Sequence, residues 1–209
     1  MRSPYLKQQG STKVLMVDDS PFVMLAGELH NSNSSTPEAM EASCRKAVEL
    51  GMNSVIATLS WELIEPEEGC FDFSTVDMVI DIARKHGLKL ELIWFGSWKN
   101  AQCAYAPAWV KKDLNRFPRA EMQKGKRSGR MEILGAVNYT TLSYLSEEAC
   151  KADARAFQAV MAHIREIDSR ENTVLMMQVE NETGVLTAAR EHADLADRLF
   201  CGPAPAELV

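Results

Sequence analysis

Four short apolar runs alternate with three amphipathic helical patterns, and this alternation limits the fold more than any other feature of the sequence. The apolar runs lie at residues 22–29, 54–59, 88–95 and 173–179. Helical patterns are expected between them, at about 37–50, 75–86 and 147–168. Strands that are joined by helices form a parallel sheet. No Gly-x-Gly-x-x-Gly stretch follows the first run, which argues against a dinucleotide-binding fold.

Capping residues mark the expected helix ends. Ser35-Thr36-Pro37-Glu38 offers a hydroxyl cap, a proline in the first turn and an early carboxylate, so the first helix should begin there. It should end near Leu50, because Gly51 follows. Ser74 and Ser146 are expected to start the second and third helices.

Each apolar run stops in polar or aromatic residues. The four ends carry Glu28 and His30, Ser60-Trp61-Glu62, Gly96 to Asn100, and Glu180-Asn181-Glu182. In α/β barrels the chemistry occurs at the carboxyl ends of the strands. A complete (β/α)8 TIM barrel needs about 250 residues. We therefore expect the 209 residues to form one unit, residues 1–209, with about the first four βα units: a half barrel and a fragment of a catalytic domain.

Glu182 is the candidate general acid, because it follows the fourth strand at the point where such chemistry is expected. Asn181 lies beside it. The alternative is that the strand simply ends in polar residues where it reaches water. Glu180 is a poor candidate for a second catalytic carboxylate, since residues two positions apart in an extended strand share one face.

Composition and charge exclude several other classes. The formal net charge is −6 without a long basic run, which argues against nucleic acid and anionic membranes as partners. The first ten residues lack the apolar core of a signal peptide, so the chain at face value is cytoplasmic. The five scattered cysteines form no C-x-x-C pair, and no paired histidine spacing occurs. We expect neither a metal nor another cofactor.

Several stretches resemble the family-35 glycoside hydrolases, which are retaining β-galactosidases built on (β/α)8 barrels. The stretches are residues 27–30, 61–73, 107–109 and 178–184. The second of them, with its Trp, Glu-Pro and Phe-Asp-Phe spacing, is also similar to family 42 of the same clan. The resemblance implies that Glu182 is the acid/base and that Asn181 binds the sugar 2-hydroxyl. It also implies a second Glu, the nucleophile, at the end of a seventh strand, so this chain alone should be inactive.

The resemblance also suggests further sugar contacts, with departures from the family pattern. Thr58 stands where typical members have Tyr, and residues 100–103 differ from their Ala-Glu-Trp. We expect Trp98, Lys99 and Asn100 to replace the contacts of those residues. Trp61 and Trp98 either stack on sugar rings or pack beneath the barrel rim. Glu28 is either a sugar ligand or a structural hydrogen-bond acceptor.

The expected function is thus release of terminal β-galactose from oligo- or polysaccharides in carbohydrate metabolism. Two alternatives are kept. One is a truncated, non-catalytic remnant that lacks the nucleophile, and the other is a clan-related hydrolase of another β-glycoside.

Overall fold

The computed structural model describes residues 3–99, 102–123, 126–127, 131–133, 136–138, 141–184 and 188–208. Its strands are β1 (Tyr5–Gln9), β2 (Thr12–Val17), β3 (Ser20–Pro21), β4 (Ala26–Glu28), β5 (Ser54–Ser60), β6 (Lys89–Lys99), β7 (Glu121–Gln123), β8 (Lys126–Arg127), β9 (Met131–Ile133), β10 (Ala136–Asn138) and β11 (Val174–Asn181). Its α-helices are α1 (Pro37–Glu49), α2 (Trp61–Ile64), α3 (Ser74–Lys85), α4 (Ala108–Lys112), α5 (Glu147–Asp168) and α6 (Asp194–Phe200).

A parallel sheet of four strands, in the order β11-β6-β5-β4, forms the centre of the fold. The strands therefore lie side by side in the order of the sequence. The register places Glu28 beside Ile56, and Ile56 beside Glu91. This is the arrangement that successive right-handed β-α-β units produce. It confirms the predicted first half of a (β/α)8 barrel.

Helices α1, α3 and α5 cover one face of the sheet. Alternate residues of the two central strands point toward them and are almost completely buried: Val55, Ala57 and Leu59 from β5, and Leu90, Leu92 and Trp94 from β6. The helices contribute Met40, Val79 and Val160 to the same core. The intervening residues, such as Ile56 and Glu91, point to the other face, which lies inside the barrel in a closed fold.

Polar contacts fix both ends of α5. Ser146 Oγ accepts a hydrogen bond of 3.2 Å from the amide three residues later, as its predicted capping role requires. At the other end, the buried carboxylate of Asp168 accepts hydrogen bonds from the amides of Thr173, at 3.1 Å, and Val174, at 2.7 Å. Arg84 Nη2 donates to the same carboxylate at 2.9 Å. Asp168 therefore ties α5, α3 and the start of β11 together.

The first strand of the parallel sheet is shorter than the predicted run of residues 22–29. Only Ala26–Glu28 pair as a strand, and Val23 and Leu25 are exposed. Asn53 accounts for the difference, because its side chain accepts from Leu25 N and donates to Val23 O, each at 2.8 Å. A side chain here satisfies backbone groups that a neighbouring strand would otherwise bind.

An antiparallel sheet, β1-β2-β3, precedes the parallel sheet. Strand β2 ends in the apolar residues Val14 to Val17, whereas β1 is mostly polar and its sequence carries no strand signal. Asp18 and Asp19 form the turn into β3 with φ of 50° and 60°. Aspartate tolerates this left-handed conformation better than most residues. Among the described helices, none is long and apolar enough to cross a membrane.

Candidate active site

The ends of β6 and β11 form the part of the sheet edge where the predicted site residues meet. The register pairs Val179 with Trp94, and then Asn181 with Lys99. Strand β6 therefore advances five residues while β11 advances two. The extra residues of β6 bulge out of the ladder. The backbone amides of these extra residues do not bind β11 carbonyl oxygens in a regular ladder, so they need other hydrogen-bond acceptors.

Glu182 lies at this edge with its carboxylate held by two donors. Its Oε2 atom accepts from Lys99 Nζ at 3.2 Å and from Asn181 Nδ2 at 3.0 Å. Gln178 Nε2 donates to Asn181 Oδ1 at 2.8 Å and so fixes the amide plane. The side chain of Glu182 is 61% exposed, whereas that of Lys99 is only 15% exposed. The carboxylate is thus oriented and still accessible to a bound molecule, as proton transfer requires.

Glu180 occupies a different environment from Glu182. Its carboxyl oxygens accept from the amides of Ser97, at 3.0 Å, and Trp98, at 2.8 Å. Asp153 of α5 accepts from the same Ser97 amide at 2.7 Å and from Trp94 Nε1 at 2.7 Å. Burial, and the hydrogen bond and charge of Asp153, raise the pKa of Glu180 to about 9. Glu180 is therefore protonated at neutral pH.

The expectation that Glu180 and Glu182 share one face is wrong. Regular strands place residues two apart on one side, but both residues here have positive φ, 64° for Glu180 and 51° for Glu182. The register also shifts between Val179 and Asn181. The two carboxyl groups consequently point to different surroundings, one toward α5 and the other toward Lys99.

A cavity of about 350 Å³ lies between these strand ends and α5. Trp98 and Tyr144 line it with stacked rings, 4.8 Å between centroids and 9° between planes. Glu180 and Phe157 also line it, whereas Asn181 and Glu182 do not. Burial raises the pKa of Tyr144 to about 12, so its hydroxyl group stays protonated. The cavity is thus on the helix side of the sheet, separate from the accessible face of Glu182.

Trp61 is fully buried. Of the two alternatives for this residue, its surroundings favour packing beneath the rim over stacking on a sugar. Its Nε1 atom donates to Glu65 Oε2 at 2.8 Å, and its ring meets Trp109 edge-on at 5.7 Å. Glu65, also fully buried, accepts from Gly69 N at 2.8 Å and from Arg155 Nη2 at 2.9 Å. The Glu-Pro turn thus forms a hydrogen-bonded network beneath the rim, and Trp61 offers no free ring face to a sugar.

The remaining candidates lie apart from this cluster. Glu28 is exposed at the end of β4, and its pairing with Ile56 places it on the inner face of the sheet. His30 is exposed in the loop that follows. Asn100 lies outside the described residues. In the part of the chain that the structure describes, no group of three or more His, Cys, Asp or Glu side chains could hold a metal ion.

Asp153 is the residue of this cluster that sequence reasoning missed. It lies on the buried face of α5, among Ala149, Ala152, Ala156 and Val160. A carboxylate on the apolar face of a helix is costly unless it is paired. An aspartate at a position of the helix that faces the sheet could therefore have indicated a hydrogen-bonding partner on a strand, although it does not identify that partner.

Curated proteins that are similar to this chain are named β-galactosidases. The β-galactosidase of Xanthomonas manihotis is 28% identical over 186 residues, which cover 86% of this chain and 26% of that protein. The β-galactosidase BgaB of Geobacillus sp. (strain Y412MC61) is 40% identical over 70 residues, 32% of this chain and 9% of that protein. The chain thus spans about a quarter of the length of these curated relatives, or less.

Solved structures agree on the fold. The exo-β-1,4-mannosidase Op5Man5 from Opitutaceae bacterium strain TAV5 superposes with a TM-score of 0.54 at 13% identity, over 79% of this chain and 26% of that one. A GH5_18 protein from Streptomyces cattleya, solved in complex with GlcNAc, superposes with a TM-score of 0.50 at 13% identity. The match covers 75% of this chain and 33% of that one.

The family model described as β-galactosidase, glycoside hydrolase family 42, matches residues 30–202. That range contains the three predicted helices, the strand ends of β5, β6 and β11, and the Asn181-Glu182 pair. The chain therefore belongs to glycoside hydrolase family 42, a β-galactosidase family.

Proposed function

We propose that residues 1–209 are the N-terminal part of the catalytic barrel of a retaining β-galactosidase, which releases terminal β-galactose from oligo- or polysaccharides. One observation carries the proposal. Asn181 ends the fourth parallel strand and Glu182 follows it, and the Glu182 carboxylate is accessible yet held by Asn181 and Lys99. The names of the curated relatives support galactose as the sugar. The resemblance of residues 178–184 to family 35 also supports Glu182, at the end of the fourth strand, as the acid/base.

Glu182 would act twice in this reaction. First it donates its proton to the glycosidic oxygen while the bond from that oxygen to the anomeric carbon breaks. A carboxylate from a later strand, outside the four strands described here, forms the new bond to that carbon. Glu182, now ionised, then takes a proton from water as the water oxygen displaces the enzyme carboxylate and releases the sugar.

Two neighbours would assist these steps. Asn181 binds the sugar 2-hydroxyl, a contact that strengthens in the transition state. Its Nδ2 atom already lies 3.0 Å from Glu182, so acid and binding group are held as one unit. Lys99, at 3.2 Å, stabilises the Glu182 carboxylate once the proton has left. Trp98 is proposed as a stacking surface at the rim, and Glu28 as a ligand on the inner face.

Glu182→Gln tests this assignment in a protein that joins the chain to the second half of its barrel. A natural disaccharide needs a protonated leaving group, so its hydrolysis should fall by about 10²–10⁴-fold. An aryl galactoside with an acidic phenol needs little protonation, so formation of the galactosyl-enzyme should be nearly unchanged. Initial rates with both substrates, together with the burst of phenol release, measure the contrast.

Glu49→Gln is the matched control, since Glu49 is an exposed helix residue paired with Lys46, far from the strand ends. It should leave both substrates unaffected. Equal, small effects of Glu182→Gln on the two substrates would rule out this residue as the acid. Turnover of another β-glycoside in place of galactosides would favour the clan-related alternative. No turnover of either kind by the joined protein would favour the non-catalytic remnant.

A further inference from the structure

Two carboxyl groups converge on one backbone amide at the end of β6. Asp153 Oδ2 lies 2.7 Å from Ser97 N, and Glu180 Oε1 lies 3.0 Å from the same nitrogen. Each carboxyl group also binds a second donor, Trp94 Nε1 for Asp153 and Trp98 N for Glu180. Strand β6 bulges at this point, so the carboxyl oxygens take the place of the carbonyl acceptors of a regular ladder.

The two carboxyl groups lie side by side, because their oxygens accept from the same amide. Asp153 is buried and Glu180 is largely shielded from water. Among the described residues, no Lys, Arg or His forms an ion pair with either carboxyl group. Two like charges this close in a largely buried site cannot both ionise without a large cost. Burial, and the hydrogen bond and charge of Asp153, therefore keep the proton on Glu180 across the neutral range.

The backbone at the end of β11 depends on this pair. Glu180 has φ of 64°, a conformation that costs a non-glycine residue free energy unless its surroundings hold it there. Its side chain is held by the Ser97 and Trp98 amides and faces Asp153, and Gln178 Nε2 donates to its carbonyl oxygen at 2.9 Å. The same turn of the chain sets the direction of the next two residues, Asn181 and Glu182. Without these contacts, position 180 would return to a regular extended conformation, and its neighbours would shift.

We propose that Glu180 is a positioning residue. Its carboxyl group shares a proton with Asp153 over the Ser97 amide, and this carboxyl clamp presents Asn181 and Glu182 to the substrate. The role rests on the proposed function of Glu182, but the clamp itself does not. The placement of Asn181 and Glu182 would then depend on a proton that Glu180 of β11 shares with Asp153 of α5, which precedes it by 27 residues in the chain.

Other ionisable groups around the clamp do not replace this interaction. From β6, Lys99 points to Glu182. From α5, Cys150 lies at the surface of the cavity. From the segment before α5, Tyr144 stacks on Trp98, and its pKa is raised to about 12. We therefore assign a titration of the clamp near pH 9 to Glu180.

Carbon-13 NMR of the glutamate and aspartate carboxyl groups in the joined protein tests the clamp without any activity. One glutamate should titrate near pH 9, and the amide signals of Ser97, Asn181 and Glu182 should shift with the same midpoint. Glu180→Gln should abolish both effects while leaving those amides close to their positions at pH 7. The one oxygen of the side-chain amide can accept from Trp98, its NH2 group can donate to Asp153, and Ser97 keeps its bond to Asp153. The clamp is refuted if every carboxyl group titrates below about pH 6. It is also refuted if the signals of these three amides do not change with the titration of the glutamate.

The pH dependence of stability gives a second readout. In the folded protein the pKa of Glu180 is raised to about 9, whereas the ordinary pKa of a glutamate side chain is 4.5. Between these values the folded state binds more protons, so stability should fall as pH rises through this window. In Glu180→Gln this part of the dependence should disappear. Asp153→Asn should lower the midpoint of Glu180, since the like charge is gone.

Activity in the joined protein separates this proposal from the previous one. Glu180→Leu keeps the volume but not the hydrogen bonds, so kcat for the disaccharide should fall by about 10²-fold with a smaller change in KM. Glu180→Gln should keep most of the kcat that Glu180→Leu loses. It should also remove the fall in kcat at alkaline pH that ionisation of Glu180 causes in the unchanged protein. If Glu182→Gln has no effect but the NMR transition is present, the clamp stands and the function assigned to Glu182 fails. If Glu180→Leu keeps full kcat, the positioning role fails even when Glu182 is the acid.

Discussion

At the scale of single residues, burial assigns different roles to glutamates that look equivalent in sequence. Glu182 is exposed and held by an amide and an ammonium group. Glu180 is shielded and protonated, because it faces another carboxylate. Glu65 is fully buried, but an indole, an arginine and a backbone amide satisfy it. The chemistry available to each carboxyl group follows from its neighbours and not from its residue type.

The two tryptophans at the rim should respond differently to substitution. Trp61→Phe leaves the buried Glu65 Oε2 without its indole donor, so it should lower the free energy of unfolding by about 1–3 kcal/mol. Trp98→Phe keeps a ring against Tyr144 and should cost clearly less. Urea unfolding of both variants measures the difference. Galactose affinity of the joined protein should fall only for Trp98→Phe, and an equal loss for both would contradict the packed interpretation of Trp61.

At the scale of elements, the close approach of β6 and α5 leaves no room at Gly96. A Cβ atom there would lie 2.5 Å from Asp153 Oδ1, which accepts from Trp94 Nε1, and 2.6 Å from Asp153 Oδ2, which accepts from Ser97 N. The glycine thus lets the helix carboxylate reach the strand bulge. Gly27 of β4 is crowded in another way, since its Cβ would meet the flexible end of Met52 at 2.7 Å.

Gly96→Ala should therefore be more damaging than Gly27→Ala. The first change pushes against rigid, hydrogen-bonded groups and should cost about 1–3 kcal/mol or more, as overpacking does. The second displaces only the tip of a methionine side chain, which has several rotamers. Thermal unfolding of the two variants provides the comparison. Equal melting temperatures would show that α5 can move away from β6, contrary to the contacts described.

At the scale of the whole molecule, the sheet is open. Among the described strands, β4 and β11 each pair on one side only. Apolar side chains near these edges remain exposed, Val23 and Leu25 before β4, and Met176 and Val179 on β11. Unpaired edges with apolar neighbours favour association between chains. In a closed barrel the same groups are covered by further strands.

The isolated chain should consequently associate. Light scattering after size exclusion should give a mass above 23.3 kDa that increases with concentration. Val179→Lys places a charge on the β11 edge and should reduce this association. Met161→Lys, on the outer surface of α5, is the matched control and should have little effect. A monodisperse monomer with a sharp, cooperative melt would contradict the open-sheet interpretation.

The sequence by itself determined the features that depend on local physical chemistry. The caps at Thr36 and Ser146 and the apolar periodicities predicted α1, α5 and the parallel strand order, because these signals act over one or two turns of chain. The polar ends of the strands pointed to the carboxyl edge of the sheet as the site. Asn181 and Glu182 were chosen for that reason, and their catalytic roles stay predictions.

Only the tertiary structure decided which polar groups meet. Glu180 turns toward Asp153 because β6 bulges beside it, and Trp61 is buried because Glu65 and Trp109 enclose it. These contacts join residues that are far apart in the chain, or that depend on an irregular strand, so no local pattern encodes them. Burial and charge pairing then set the protonation of each carboxyl group, since desolvation exists only once the layers have packed together.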